Sequence, residues 1–287
     1  SNVYYKEYIY DNNFNITDKG QVDGYRMRFL NWGYDNYYGL QDIQKYDDER
    51  YVLDRELILN KTFYNKIFKQ QGNFVNYIIT YSPHTPFTTE KEVGKILAEE
   101  KYGKGNVPKL SEEDCAKMAA SETDNMVGLL IQALKDNGLY DNTVIVAYAD
   151  HYLYTLDDKS ILDKYKETSN NLINHTPFFI WSSDLGQLTS ISKVNMQMDI
   201  LPTVLNLFGI DYNSNNYIGH DILSNDFKGY AFFSDYSWYD GKVYVENQQI
   251  TNGKKMSKNK LDSMNNLISD VIKKNDLTLK YDYFKSK

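Results

Sequence analysis

The sequence has one cysteine, no long apolar run and no concentration of positive charge. The single cysteine, Cys115, excludes an internal disulfide, and its place on the apolar side of a predicted helix favours a small buried residue over a reactive thiol. No run of about 18 apolar residues and no signal-peptide pattern is present. We therefore expect either a cytosolic protein or one whose targeting and membrane segments lie outside this chain.

Positive charge is scarce, with 32 lysine and arginine residues against 39 aspartate and glutamate residues and a formal net charge of −7. Because acidic and basic residues are mixed along the chain, the sequence has no cluster of lysine and arginine of the kind that binds nucleic acid. We therefore expect no nucleic-acid partner. The 287 residues are 41% hydrophobic and 25% charged, as in ordinary globular proteins. This length predicts one large α/β domain, or such a domain with a small appendage.

Hydrophobic periodicity and turn residues predict helices that alternate with buried strands over most of the chain. The clearest helix begins after Ser111, an N-cap residue followed by three acidic residues in the first turn, and it ends at Gly138. The strand over 143–149 is apolar on both faces, which is typical of a central parallel strand. The other predicted elements are a helix over 51–68, strands over 74–81 and 178–181, and a helix over 199–208.

The sequence pattern changes near residue 229. Alternating residues over 230–237 and 242–245 predict antiparallel strands on either side of a Tyr-Asp-Gly hairpin signal. An amphipathic helix is predicted over 258–274. We therefore predict two domains, an α/β domain over 1–228 and a hairpin-plus-helix subdomain over 229–287.

Two residues with metal-binding side chains, Asp150 and His151, come directly after the strand over 143–149. In open α/β sheets, ligands bind at the carboxyl ends of strands. A carboxylate beside an imidazole offers two ligands there to a divalent cation such as Zn²⁺ or Mn²⁺. An Asp-His pair in this place is also often only a capped loop, so the residues alone leave both interpretations open.

The chain has three further histidines. His84 follows the strand over 74–81, where its imidazole could donate a hydrogen bond to a phosphate or shuttle a proton to a leaving group. His175 comes shortly before a proline and a strand, and His220 lies in a Gly-His-Asp loop. We interpret His175 and His220 as structural.

Four segments resemble, in the same order, the motifs of lipoteichoic acid synthase-like phosphoglycerol transferases, a family of the alkaline phosphatase–sulfatase superfamily. Residues 139–151 are similar to the turn and strand that deliver the family's Asp-His metal pair. Residues 80–87, which end in His-Thr-Pro-Phe, are similar to the strand and loop whose histidine faces the phosphoglycerol. Residues 32–38 resemble a Gly-Phe-Asp-x-Phe-Tyr element, and residues 197–210 resemble the superfamily's late helix.

The resemblance implies an α/β fold with an alkaline phosphatase-like sheet sandwiched by helices, incomplete at its N-terminus, and a small C-terminal α+β appendage. It also implies a divalent metal cofactor, Mn²⁺ in the first place with Mg²⁺ or Zn²⁺ as alternatives, held by Asp150 and His151. His84 takes a catalytic and substrate-binding role by resemblance. Arg26 loosely matches the family's substrate-binding arginine.

By the same resemblance, the complete enzyme moves glycerol phosphate from phosphatidylglycerol to a glycerol-phosphate polymer of the cell envelope, at the extracellular face of the membrane. The family's threonine nucleophile, its glutamate ligand and a membrane anchor are then expected outside this chain. Glu7 and Thr17 are too close together to be that nucleophile–ligand pair. We therefore expect an enzyme in its full length and an inactive polypeptide in this chain alone.

Other functions on the same scaffold stay open. A sulfatase or a phosphodiesterase differs in its nucleophile, because sulfatases need a formylglycine-forming cysteine or serine upstream. A non-catalytic surface domain that binds an anionic cell-wall polymer needs no nucleophile. A cytosolic phosphomutase of the superfamily is disfavoured, because such enzymes use more metal ligands than this chain supplies.

Overall fold

The computed structural model describes residues 2–5, 33–38, 53–69 and 71–285. Contacts divide the chain into two units, Ser1–Gly186 and Gln187–Lys287. This division comes earlier in the chain than the change of sequence pattern near residue 229. The limits of a catalytic domain over 1–228 and a subdomain over 229–287 stay a prediction. None of the helices in the described residues combines the length and the apolar character that crossing a bilayer requires.

Among the described residues of the first unit, five strands form two sheets. They are β1 (Asn2–Tyr5), β2 (Asn36–Tyr38), β3 (Asn76–Ile79), β4 (Val144–Tyr148) and β5 (Phe178–Ser182). In the first sheet, β1 lies between β2 and β3 and runs parallel to both. In the second sheet, β4 pairs with β5, and Val146 lies opposite Ile180.

The direction of β4 differs from the prediction of a central parallel strand. Within the part of the chain that the structure describes, β4 pairs only with β5 and runs antiparallel to it. Ala147 and Tyr148 are exposed, although the strand is apolar throughout. An apolar run shows that a strand suits a buried place, but it carries no information on the direction of the neighbouring strand. The route of the chain between β4 and β5 sets that direction.

Five α-helices accompany these strands in the part of the first unit that is described. They are α1 (Glu56–Leu59), α2 (Lys61–Phe68), α3 (Glu92–Tyr102), α4 (Glu112–Asp136) and α5 (Ser160–Asp163). The predicted helix over 51–68 is broken in two at Asn60, and its first two residues lie outside the described residues. The break has a local cause, because the Asn60 side chain accepts hydrogen bonds from Thr62 N and Phe63 N and so caps α2.

The helix α4 confirms the prediction made from Ser111. Ser111 Oγ accepts a hydrogen bond from Asp114 N at 3.1 Å, and Ser111 N donates to the Asp114 carboxylate at 3.4 Å, which forms a capping box. Gly138 follows the helix with a φ of +66°, a left-handed conformation that glycine adopts without strain. Cys115 is buried on this helix, as expected.

The largest hydrophobic core of the first unit lies between α4 and the α1–α2 pair. Burying a large apolar side chain there contributes about 1.5–3 kcal/mol, so this cluster accounts for much of the attachment of α1 and α2 to α4. Its buried members are Leu57, Ile58, Phe63, Ile67, Phe68, Met126, Ala133 and Leu134.

The second unit contains one sheet and two α-helices in its described residues. The helices are α6 (Ile200–Leu207) and α7 (Lys258–Lys280). The strands are β6 (Ala231–Phe232), β7 (Trp238–Tyr239), β8 (Val243–Glu246) and β9 (Gln249–Gly253), hydrogen-bonded antiparallel in that order. The helix α7 buries Ile268 against Trp238 and Val245 of the sheet. The predicted hairpin and helix are therefore present, and the helix continues past its predicted end at residue 274.

The predicted strand over 230–237 is mostly a turn. Only β6 is extended there, and the chain then reverses, with Phe233 N donating to Ser237 O at 2.9 Å. The Asp235 carboxylate accepts hydrogen bonds from Ser237 N and Oγ, which stabilises the reversal locally. Short 3-10 helices complete the description, at Tyr140–Asn142, Asn170–Asn174, Gln197–Asp199 and Ser214–Asn216.

Candidate active site

The Asp150–His151 pair lies just past the end of β4, on the surface of the first unit. The Asp150 side chain is 80% exposed and the His151 side chain 44% exposed. Asp150 Oδ2 lies 3.4 Å from His151 Nε2, and Asp150 Oδ1 accepts a hydrogen bond from His151 N at 2.9 Å. The carboxylate and the imidazole therefore lie next to each other at the end of β4, and both are reachable from solvent.

The hydrogen bond at the other ring nitrogen fixes the tautomer of His151. His151 Nδ1 lies 2.8 Å from Tyr152 O. Because a carbonyl oxygen only accepts, Nδ1 carries the proton, and the neutral ring keeps its lone pair on Nε2, beside Asp150. The Tyr154 ring packs edge-on against the imidazole, with 4.8 Å between the centroids. A backbone carbonyl on the second nitrogen is the usual support of a metal-binding histidine.

These two side chains fit a divalent cation. Two ligands that are each about 2.1 Å from a tetrahedral cation stand about 3.4 Å apart, which matches the separation of Asp150 Oδ2 and His151 Nε2. A carboxylate oxygen and an imidazole nitrogen also suit Mn²⁺ and Zn²⁺ chemically. In the described residues, however, no group of three or more histidine, cysteine, aspartate or glutamate side chains surrounds a common point. This part of the chain therefore offers two ligands of a metal site.

His84 lies in a tight turn that follows β3. His84 N donates to Tyr81 O at 2.8 Å, which closes the turn, and the imidazole stacks on the Tyr81 ring with 4.9 Å between the centroids. His84 Nδ1 lies 2.8 Å from Thr85 O, so this nitrogen also carries the proton. His84 is exposed, and Nε2 is the ring nitrogen left for a ligand. The structure thus gives His84 and His151 the same arrangement, with Nδ1 on a backbone carbonyl.

Two tyrosine hydroxyls connect the strands that lead to these histidines. Tyr77 is on β3 and Tyr148 is on β4, and their hydroxyl oxygens are 2.9 Å apart. Burial raises the pKa of Tyr77 above its ordinary value, and the bond to Tyr148 and the charge of Asp150 act in the same direction. The charge of Asp150, at the end of β4, therefore acts on the Tyr77 side chain of β3. The sequence analysis missed this pair, since 27 tyrosines gave no reason to single out two.

Three further residues singled out in the sequence are Arg26, His175 and His220. Arg26 lies outside the described residues. His175 follows a short 3-10 helix, and its carbonyl accepts a hydrogen bond from Lys166 Nζ at 2.9 Å. His220 belongs to the second unit, where its backbone N donates to the Asp199 carboxylate at 2.7 Å.

One residue missed by the sequence analysis bears directly on the His84 turn. Asp54 is fully buried, and its carboxylate accepts hydrogen bonds from Tyr81 N and Ser82 N. An aspartate just before a short helix is common at helix starts, so the sequence around Asp54 gives no reason to connect it with a turn 27 residues away.

Comparison with known proteins identifies the class of the chain. The family model called Sulfatase matches residues 3–210, which is most of the chain, and the chain belongs to the sulfatase family. Its curated relatives include lipoteichoic acid synthases. The chain is 28% identical to the one from Staphylococcus saprophyticus over 295 aligned positions, covering 91% of this chain and 44% of that protein. It is 28% identical to the one from Staphylococcus aureus, covering 80% of this chain and 39% of that protein. The chain thus spans less than half the length of these relatives.

Solved structures confirm the fold. The crystal structure of the lipoteichoic acid synthase LtaP from Listeria monocytogenes matches 95% of this chain and 69% of that chain, with a TM-score of 0.68 and 20% identity. The crystal structure of Ps i-CgsB in complex with k-i-k-neocarrahexaose matches 96% of this chain and 70% of that chain, with a TM-score of 0.52 and 17% identity. The predicted superfamily and the predicted alkaline phosphatase-like α/β class are both confirmed, and lipoteichoic acid synthases are among the relatives that the chain resembles. The metal and the roles of the site residues stay predictions.

Proposed function

We propose that this chain is part of a metal-dependent phosphoglycerol transferase that moves glycerol phosphate from phosphatidylglycerol to a cell-envelope polymer. The observation that carries the proposal is the Asp150–His151 pair, whose carboxylate oxygen and imidazole nitrogen lie 3.4 Å apart and exposed just past the end of β4. Membership of the sulfatase family and similarity to lipoteichoic acid synthases supply the reaction class. Because the chain spans less than half of those relatives, the activity belongs to the longer protein.

Asp150 and His151 hold a divalent cation in this proposal, with Mn²⁺ as the first candidate and Mg²⁺ or Zn²⁺ as alternatives. When bound, such a cation neutralises charge on phosphoryl oxygens and lowers the pKa of an attacking hydroxyl. The chain's own contribution is to fix the two ligand atoms. The hydrogen bond from His151 Nδ1 to Tyr152 O leaves Nε2 as the ring nitrogen that would hold the cation, and the bond from His151 N orients the Asp150 carboxylate.

His84 contacts the glycerophosphoryl group in this proposal. With Nδ1 on Thr85 O and the ring stacked on Tyr81, the imidazole has one orientation, and only Nε2 is presented to a ligand. Because Nδ1 already carries a proton, Nε2 donates in the imidazolium form, in which it gives a hydrogen bond to a phosphoryl oxygen or a proton to the leaving group. Arg26 is a second candidate for the anionic substrate. The nucleophile is a threonine supplied by a part of the protein that these residues do not include.

The proposed setting is the extracellular face of the cell membrane, with phosphatidylglycerol as donor and a glycerol-phosphate polymer as acceptor. Similarity to lipoteichoic acid synthases supports both substrates. The formal charge of −7 gives no basis for a nucleic-acid substrate. The second candidate is a sulfatase or phosphodiesterase on the same scaffold, which membership of the sulfatase family favours. A domain that binds an anionic polymer without catalysis is the third.

The decisive experiment measures diacylglycerol release from phosphatidylglycerol by the full-length protein, with and without Mn²⁺. Asp150→Ala is expected to abolish turnover, because it removes a ligand of the cation. His220→Ala, which changes an exposed histidine of the other unit, is expected to retain it. Undiminished turnover in Asp150→Ala would contradict the metal assignment. Sulfate release from an aryl sulfate, without diacylglycerol release, would support the sulfatase, and ligand binding without either reaction would support the polymer-binding domain.

A further inference from the structure

The buried carboxylate of Asp54 is the most heavily hydrogen-bonded side chain near the His84 turn. Asp54 Oδ1 accepts from Tyr81 N at 2.7 Å, and both carboxylate oxygens lie 3.1 Å from Ser82 N. In return, Asp54 N donates to Ser82 Oγ at 2.9 Å, and Ser82 is itself fully buried. Two segments that are far apart in sequence are thus joined by reciprocal hydrogen bonds between buried residues, where a lost partner costs about 1–3 kcal/mol.

These bonds complete the hydrogen bonding of the turn. Buried or constrained backbone N–H groups need acceptors, and a turn after a strand has lost its neighbouring strand as a source of them. In the turn from Tyr81 to His84, Pro83 has no N–H and His84 N donates to Tyr81 O. The two N–H groups that remain both donate to Asp54. The backbone N–H groups of Tyr81 and Ser82, next to the turn residue His84, are therefore held by a side chain from outside the turn.

The carboxylate of Asp54 is in turn fixed to α4. Thr123 Oγ1 donates to Asp54 Oδ2 at 2.7 Å. The next residue, Arg55, binds the buried Glu122 of α4 through both its backbone N and its guanidinium, at 3.1 and 3.2 Å. Burial raises the pKa of Glu122 above its ordinary value, and Arg55 opposes that rise. The His84 turn is thus tied through Asp54 to α4, the longest helix among the described residues of the unit.

We propose that Asp54 is a positioning residue for His84. It holds the backbone of the turn so that the imidazole stacks on Tyr81 and presents Nε2 outward. The effect of this positioning on catalysis rests on the proposed function, in which His84 contacts the glycerophosphoryl group. The positioning of His84 does not rest on the proposed function, because it follows from contacts within this chain alone. Removing the carboxylate is expected to release the imidazole from Tyr81 while leaving the Asp150–His151 pair in place.

The test uses NMR of the chain with isotope-labelled histidine, which has only four histidines to resolve. In Asp54→Asn, one carboxylate oxygen becomes an amide group that donates, so one acceptor is lost without a change of size. The ring-current shift that Tyr81 imposes on His84 is expected to shrink, and the signals of His151, His175 and His220 are expected to stay. Thr123→Val, which removes only the anchor to α4, is expected to move the His84 signal less in the same direction.

Asp199→Asn is the matched control. Asp199 is equally buried and also accepts two backbone N–H bonds, from Met196 and His220, but it lies in the second unit. It is expected to move the His220 signal and to leave His84 unchanged. If all four histidine signals move together in both Asp54→Asn and Thr123→Val, the substitutions cause a general loss of structure, and the proposal is overturned. An unmoved His84 signal in both variants would also overturn it.

Kinetics of the full-length protein separate this proposal from the proposed function. Asp54→Asn is expected to lower kcat by about 10- to 100-fold, because small displacements of a group that contacts substrate have effects of that size, with KM nearly unchanged. Asp199→Asn is expected to keep the wild-type kcat. A moved His84 signal with an unchanged kcat would leave the positioning established and would contradict the role of His84. An unmoved signal would contradict the positioning, whatever the activity.

Discussion

Replacing Asp150 by Asn removes the only negatively charged ligand of the Asp150–His151 pair and keeps the size of the side chain. The amide oxygen can still accept the hydrogen bond from His151 N, so the local backbone keeps its support. Because the side chain is 80% exposed, the free energy of unfolding is expected to change by less than about 0.5 kcal/mol. The substitution therefore tests metal binding without a folding defect.

The expected loss of affinity follows from the number of ligands. Structural zinc sites with four protein ligands bind with about 10–16 kcal/mol, or about 2.5–4 kcal/mol for each ligand. The two ligands of the described chain then give about 5–8 kcal/mol for Zn²⁺, a Kd of about 1–200 μM, and Mn²⁺ binds more weakly. Removing one ligand costs about 3 kcal/mol, which raises Kd roughly 100-fold.

Titration with Mn²⁺ followed by histidine NMR reports the position as well as the affinity, because the paramagnetic ion broadens the signals of nearby rings. The His151 signal is expected to broaden first in the wild-type chain. His220 is the internal control, since it also lies beside an aspartate. That residue, Asp199, is 1% exposed and accepts two backbone hydrogen bonds, so its oxygens are shielded from a cation in solution. Calorimetry with Zn²⁺ gives Kd for the wild type and for Asp150→Asn.

Two results would refute this reasoning. Equal broadening of His151 and His220 at the same Mn²⁺ concentration would show non-specific binding to exposed imidazoles. An unchanged Zn²⁺ affinity in Asp150→Asn would show that the carboxylate is no ligand, even though its oxygen lies 3.4 Å from His151 Nε2. Either result would leave the family membership intact and remove the metal from the proposed mechanism.

Two further predictions concern stability. Thr203 is fully buried, and its hydroxyl donates to Asp199 O and accepts from Ile222 N at 3.0 Å. Thr203→Val is expected to lower the free energy of unfolding by about 2–3 kcal/mol, and Thr203→Ser by only about 1 kcal/mol. Urea unfolding followed by the His220 NMR signal measures both. The opposite order would show that the methyl group matters more than the hydrogen bonds. Hydrogen bonds from Lys117, then Lys164, lower the pKa of Glu113 from 4.5 to about 2, so its contribution to stability is present above pH 4.5 and is lost as the pH falls toward 2. Glu113→Gln is expected to lower Tm at neutral pH, with a difference from wild type that shrinks over that range; a difference independent of pH would contradict this origin.

Local sequence determined those elements whose signals are short-range. The helix after Ser111 could be predicted from an N-cap serine, an acidic first turn and a glycine after its end. The structure contains this helix with its capping box. The hairpin around residues 239–241 could be predicted from its turn residues alone. The superfamily could also be predicted, because its motifs are short segments that keep their order, and the match of the Sulfatase family model over residues 3–210 confirms it. The roles of His84, Asp150 and His151 came from the same motifs and stay predictions.

Tertiary structure decided what depends on partners far apart in the chain. The apolar residues of β4 suit either strand direction, and only the return of the chain through β5 made the pair antiparallel. Nothing near Asp54 in sequence shows that it serves a turn 27 residues later, because a buried carboxylate is recognised by its donors and not by its neighbours along the chain. Hydrophobic periodicity reports burial, whereas strand direction and the partners of buried polar groups are set by the path of the whole chain.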